Sequence, residues 1–230
     1  VSPSTTRAPG KDPEARIREI HRRLQEVYGA PEKQRRDPLE ELLLTILSQN
    51  TSDTNRDRAW RRLRERFADW EAVRTADPGE VEEAIRPGGL AGQKSRAIRG
   101  ALERLHEERG EASLDHLAEM DDEAAMDYLT GFPRVGTKTA ACVLCFALGR
   151  PVMPVDTHVD RVARRLGLVE DGGGVEAAHR ALNREVPPGL RFSLHLLFIR
   201  HGRATCTARS PDCSDCTLEE ICPKHGVETS

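Results

Sequence analysis

Four cysteines stand close together near the end of the chain, as Cys206-x6-Cys213-x2-Cys216-x5-Cys222. So compact a set of thiols constrains its segment more than any apolar pattern can, because all four can converge on one small object. Two objects suit them, a tetrahedral zinc ion or a cubane iron–sulfur cluster. Structural zinc usually sits between two close cysteine pairs. This segment has one CxxC pair, and the uneven spacing favours the cluster. Cys142 and Cys145 lie in the apolar run Ala141–Leu148 and read as core thiols rather than a redox pair. The opening residues Val1–Gly10 carry no apolar leader, so the expected compartment is the reducing cytoplasm, where clustered thiols more often hold metal than form disulfides.

Most of the remaining sequence has helical periodicity. Ile17, Ile20, Leu24 and Val27 step by three and four, closing at Gly29 with Pro31 beyond. Leu39–Leu47 (LEELLLTIL) is apolar on most sides and predicts a central, buried helix. Ala59, Leu63 and Phe67 mark another, stopped before Asp77-Pro78-Gly79. Further helices are predicted over 80–85, 94–109, 122–129, 137–148, 157–166, 175–186 and 192–200, with loops at Gly172-Gly173-Gly174 and Pro187-Pro188-Gly189. No segment alternates with a period of two, and aromatics are only 4%, which argues against a large β-sandwich. The expected fold is all-α, built from roughly ten short helices. Residues 1–11, rich in Pro, Ser, Thr and Gly, are expected to form a disordered tail. No run approaches the ~18 apolar residues of a membrane helix.

Net charge is −3, so nothing global calls for a polyanionic partner. Charge is unevenly placed, however: residues 38–130 hold 13 Lys/Arg against 21 Asp/Glu, and residues 131–205 hold 11 against 6. One basic face is compatible with docking on a phosphate backbone, and equally with a solvated surface.

Phe132-Pro133-Arg134-Val135-Gly136-Thr137-Lys138-Thr139-Ala140 falls where one predicted helix ends and the next opens. Such a turn leaves the first N–H groups of the second helix unpaired and outward-facing. With the positive end of the helix dipole they suit a phosphate, although a bare helix–turn–helix corner has the same pattern. Lys138 falls in that first turn, where dipole and partial burial favour the neutral amine, a nucleophile able to form a Schiff base. Most lysines so placed are merely solvated. Eighteen residues on, Val155-Asp156-Thr157-His158 follows Pro151 and Pro154. Asp156 reads as an N-cap, and a capping carboxylate, fixed in direction, can also face a developing cation. His158 reads first as a structural residue of the same turn, with ligand or acid as the alternative.

Taken in order, these segments resemble endonuclease III, the iron–sulfur branch of the helix-hairpin-helix DNA glycosylase superfamily. The resemblance rests on PRVGTKTA with Lys138, VDTH with Asp156, HGRATC leading into Cys206 and the cysteine spacing, and it covers about Asp12–Pro223. It implies two helical lobes flanking a DNA-binding cleft. One is a six-helix barrel with the hairpin over 31–150, and the other joins 12–30 to 151–230. In the latter, Cys206, Cys213, Cys216 and Cys222 would hold a [4Fe–4S] cluster. The implied activity is that of a bifunctional glycosylase and abasic-site lyase, a nucleoid-associated monomer acting on double-stranded DNA that contains damaged pyrimidines or abasic sites. The lesion base is flipped out of the duplex at a cost of a few kcal/mol. Lys138 attacks the sugar C1′, displaces an oxidised pyrimidine and forms a Schiff base, and β-elimination then nicks the strand. Asp156 assists deprotonation of Lys138 and stabilises positive charge on the sugar. Gln49 or Asn50, in Ser48–Asp53, plugs the gap left by the base. Arg134, Val135, Gly136 and Thr137 of the hairpin, with His158 and Arg209, are the other expected DNA contacts.

Three residues depart from the family pattern. Arg134 replaces the hairpin's first Gly, Asp160 adds a negative charge, and Asn50 is shorter than the usual Gln. Two competing readings are an adenine-specific mismatch glycosylase, which generally lacks lysine at the place of Lys138, and a non-enzymatic DNA damage-binding protein.

Overall fold

The computed structural model describes residues 12–33, 35–170 and 172–227; the expected tail at 1–11 lies outside them. Among the described residues eleven α-helices follow one another: α1 (Pro13–Tyr28), α2 (Pro38–Ser48), α3 (Asp53–Arg66), α4 (Trp70–Thr75), α5 (Pro78–Ile85), α6 (Ala91–Arg109), α7 (Asp122–Thr130), α8 (Thr137–Cys142), α9 (Thr157–Arg165), α10 (Gly174–Glu185) and α11 (Arg191–Ala204). No strand occurs among the described residues. The fold is all-α.

Short polar side chains set most of the helix starts. Asp12, Asp37, Ser52, Asp69, Asp77, Asp121 and Asp156 each accept a hydrogen bond from a first-turn backbone N–H, an arrangement worth about 1 kcal/mol per helix. Pro13, Pro38 and Pro78 follow three of these caps, where their fixed φ suits a helix and the missing N–H costs nothing. Two elements differ from the sequence reading. The six-residue α4 buries only Val73, too little for periodicity to reveal; its Asp69 cap and the tilted stacking of Trp70 on Trp60, 5.7 Å between centroids, hold it. The single helix predicted over 137–148 is α-helical to Cys142 and widens into a π-turn at Val143–Ala147.

The chain forms two compact units, one spanning Lys33–Pro154 and the other joining the N-terminal part, through Glu32, to Val155 and beyond. In the first unit α2 is the central element, packed against α3, α6, α8 and the π-turn. Leu39, Leu42, Leu43, Ile46 and Leu47 are fully enclosed there, each contributing roughly 1.5–3 kcal/mol. In the second unit α11 packs on α9 and α1, burying Leu194, Leu197 and Phe198 with Ile17, Ile20 and Leu24. Gly202 permits the α11–α9 approach, since a Cβ there would stand 3.1 Å from His158 Cβ. Among the described residues no helix is long and apolar enough to cross a membrane.

Candidate functional site

Within the Lys33–Pro154 unit, Gly131–Gly136 joins α7 to α8, and apolar side chains pin this turn. Phe132 and Val135 are buried. Phe132 meets Tyr128 edge-on at 5.4 Å, and the Arg104 guanidinium lies 4.5 Å from the Phe132 ring centroid. The chain reverses through exposed Arg134 at φ +62°, a left-handed conformation that costs an L-residue about 1 kcal/mol. Arginine therefore adopts the conformation that glycine takes freely. Gly136 then opens α8 in an extended conformation and provides no side-chain cap. The first helical bond runs from Ala140 N–H to the Gly136 carbonyl at 3.0 Å, so the amides of Thr137, Lys138 and Thr139 precede it. Lys138 is half-buried in that first turn. Glu41, buried on α2, feels its charge. Burial pushes the Glu41 carboxyl up, while Arg36 at 3.1 Å, the Thr45 hydroxyl at 3.2 Å and the charge of Lys138 pull it down.

The end of α2 separates the two plug candidates. The Ser48 hydroxyl donates to the Thr45 carbonyl at 2.7 Å, closing the helix. Gln49 reaches to the hairpin, its Nε2 donating to the Arg134 carbonyl at 3.1 Å. Asn50 is exposed and left-handed, at φ +51°. Leu90, which caps α6 at φ +50°, is an exposed apolar residue that sequence periodicity did not single out.

Lys94 was expected merely to begin a helix. It is fully buried instead, its Nζ donating to the Leu47 carbonyl at 2.7 Å and the Gly88 carbonyl at 2.8 Å. The amine thus caps the negative end of α2 and ties it to the turn before α6. Burial, with the positive charge of Arg134 adding to it, pulls Lys94 from 10.5 down to about 8. Replacing it in Lys94→Met leaves two buried carbonyls without donors, at about 1–3 kcal/mol each, partly offset by removing a desolvated ammonium. A net loss of roughly 2 kcal/mol at pH 7 is expected in urea melts. Between pH 8 and 10.5 the unfolded chain binds the Lys94 proton and the folded chain does not, so this group adds stability as pH rises. The gap between parent and variant should widen across that window; a gap that narrows would reject the assignment.

In the other unit, Asp156 caps α9 through one oxygen, Oδ1, which accepts from His158 N–H at 2.9 Å and Val159 N–H at 2.8 Å. The carboxylate is half-buried and fixed in direction. His158 Nδ1 accepts from Arg161 at 3.0 Å, and Arg161 also donates to the Cys206 and Gly202 carbonyls. One nitrogen of His158 is therefore engaged inside its own unit. The extra charge of Asp160 is paired with Arg164 at 2.9 Å. Arg209 is exposed.

Cys206, Cys213, Cys216 and Cys222 line one recess together with Arg165 and His201, and none of the four forms a disulfide. N–H groups point at two of the sulfurs. Arg165 lies 3.3 Å from Cys206 Sγ, His201 Nε2 lies 3.7 Å from Cys216 Sγ, and the Leu218 amide donates to Cys216 Sγ at 3.4 Å. Tyr28 sits 3.1 Å from the other nitrogen of His201, and burial pulls that imidazole down to about 4. Burial pushes the Cys216 thiol up; the Leu218 amide opposes this, and the charges of Cys222, Cys206 and Cys213 reinforce it. The four sulfurs are thus electrostatic neighbours, backed by donors of the kind that steady thiolate ligands. Among the described residues no three His, Cys, Asp or Glu side chains are arranged to hold a metal ion. Cys142 and Cys145 are buried, with Cys145 pushed up to about 12 by burial.

Residues 43–188 match the model of the HhH-GPD superfamily of base excision DNA repair proteins. Endonuclease III of Synechocystis sp. is 34% identical over 191 residues, 81% of this chain and 81% of that protein. The chain belongs to the endonuclease III family. An Arabidopsis thaliana protein whose name places it among DNA glycosylases is 38% identical over 189 residues. That match covers 82% of this chain, which spans 62% of the plant protein's length. A solved non-covalent complex of an endonuclease III with DNA superposes with a TM-score of 0.78 at 29% identity, over 91% of this chain and 95% of that one. Against the endonuclease III pattern, two departures now have local explanations: Arg134 takes the glycine-like backbone itself, and Asp160 is neutralised by Arg164. The sequence reading missed Lys94 and Glu41. A lysine inside an otherwise apolar helical stripe, and an acid within LEELLLTIL, were the available signals.

Proposed function

We propose that this endonuclease III-family chain is a bifunctional glycosylase and abasic-site lyase that excises oxidised pyrimidines from duplex DNA, with Lys138 as nucleophile. The observation that carries this is an amine in the first turn of a helix whose N-terminus no side chain caps. The first-turn amides suit a backbone phosphate, and Lys138 belongs to the same turn. Lys138 nitrogen bonds to C1′ as the glycosidic C–N bond breaks, and the base leaves with the bonding pair and takes up a proton. Loss of a nitrogen proton and ring opening give the imine. A proton then leaves C2′ and the C3′–oxygen bond breaks, releasing the 3′ phosphate. Asp156, fixed in direction by two amides, would assist deprotonation of Lys138 and stabilise positive charge on the sugar.

Gln49 is occupied by the hairpin, so Asn50 is the side chain offered to the gap in the duplex. Arg134, Gly136 and Thr137 would grip the phosphate, with Arg209 and His158 as outlying contacts, while the expected contact Val135, buried and with its N–H bonded to the Phe132 carbonyl, would seat the turn. Cys206, Cys213, Cys216 and Cys222 would hold a [4Fe–4S] cluster in the unit that also carries Asp156, leaving 33–154 as the barrel that carries the hairpin. Bound there, the cluster supplies four strong sulfur bonds that fix its segment. Borohydride reduction of the protein with a duplex containing an abasic site tests the proposal: one covalent protein–DNA adduct is expected, and its absence under conditions of tight binding would reject the lyase.

A further inference from the structure

The peptide unit between Arg134 and Val135 is fixed at both ends. Its N–H, that of Val135, donates to the Phe132 carbonyl at 3.2 Å. Its carbonyl, that of Arg134, accepts from Gln49 Nε2 at 3.1 Å, across 85 residues of sequence. The same residue stands at φ +62°, where an arginine is strained and a glycine is not. An unrestrained turn with that strain would relax toward other conformations and lose the course that leads to the open start of α8. Gln49 is itself well founded, because it directly follows α2, whose last turn is closed by Ser48 and anchored by Lys94. The residue after it, Asn50, is left-handed and exposed.

We propose that Gln49 is a positioning residue that locks the hairpin turn onto the end of α2, so that Asn50 and Arg134 meet a duplex as one pre-formed surface. This rests on the reading of the chain as an enzyme of duplex DNA. The lock offsets a backbone strain that arginine introduces, and its benefit is lower ordering cost when the phosphate is gripped. Gln49 touches the hairpin and not the DNA.

The test is a double-mutant cycle on affinity for a duplex carrying a non-cleavable tetrahydrofuran abasic analogue. Gln49→Ala in the parent should weaken binding about fivefold, the value of one partly exposed hydrogen bond. In the Arg134→Gly background, where the left-handed turn costs nothing, the same change should have less than about a twofold effect. Arg134→Gly alone should bind less tightly, with a log–log salt dependence shallower by roughly 0.7–0.9 if its guanidinium contacts a phosphate. Gln49→Asn, one methylene too short to reach the carbonyl, should reproduce the alanine result if alanine impairs folding. Equal losses in both backgrounds, or no loss in either, would overturn the proposal. Hydrogen exchange at the Val135 amide of the free protein separates this proposal from the DNA reading. Faster exchange in Gln49→Ala supports the lock even if the parent fails to bind the duplex, and unchanged exchange overturns it even if the parent binds.

Discussion

Lys138→Gln is expected to yield a protein that binds abasic duplex as the parent does but neither forms a borohydride-trapped adduct nor nicks the strand. Glutamine keeps most of the length and polarity of the side chain and has no nucleophilic lone pair, so the imine cannot form. Removing a covalent nucleophile should lower single-turnover nicking by at least about 10³-fold. Folding is read separately, from the melting temperature. Lys138 lies in the first turn of α8, where its charge opposes the helix dipole but also attracts the buried Glu41 carboxylate. These effects oppose each other, so a melting temperature close to the parent's is part of the expected result. Asp156→Asn provides the contrast. Asparagine caps a helix about as well as aspartate, so α9 should persist while base excision slows by about 10²-fold for want of a proton acceptor. Trapping retained in Lys138→Gln would remove that residue from the mechanism, and unfolding of Asp156→Asn would reduce Asp156 to a cap.

Much of this was legible in the sequence because the decisive interactions are local. Asp12, Asp37, Asp77 and Asp156 announce helix starts by bonding amides two or three residues away, and proline after three of them narrows the boundary further. The apolar crowding of Leu39–Leu47 already required a helix enclosed on most sides, which α2 is. Contacts between distant residues were not legible. Nothing in the spacing of Gln49 and Arg134 says that one amide holds the other's carbonyl, and nothing near Lys94 says that Leu47 and Gly88 supply its acceptors. The left-handed turn at Arg134 was half legible. Its place at the hairpin's first Gly left an ordinary dihedral and a strained positive φ both open, and the tertiary bonding that decides for the second is between distant residues. The π-turn at Val143–Ala147 leaves no trace in an apolar run that reads as ordinary helix.

Cys216→Ser is expected to abolish a broad visible absorption, remove iron and acid-labile sulfide from the purified protein, and loosen the segment from Thr205 to Val227. The reason lies in what else could hold that segment together. Across those residues only Leu218 joins the buried apolar core, and the one regular element is the short 3₁₀ turn Glu219–Ile221. Ordering each residue of a chain costs about 1–2 kcal/mol, far more than one leucine returns. Hydrogen bonds from Arg165 to the Thr207 and Ala208 carbonyls and from Arg23 to the Thr217 carbonyl contribute; on the proposed cluster reading, bonds to a group shared by the four thiols would supply the rest, so that binding it and ordering the segment would be one event. Serine is a hard, weakly ionised ligand and a poor substitute for a thiolate toward iron. Faster proteolysis within 205–227 should accompany the loss of colour, while far-ultraviolet circular dichroism from the eleven helices changes little. Cys145→Ser is the control, since that thiol is buried in the other unit and pushed up to about 12, away from thiolate chemistry; its absorption should be that of the parent. Stoichiometric zinc without iron or sulfide in the parent would overturn the cluster and leave the four cysteines as a zinc site.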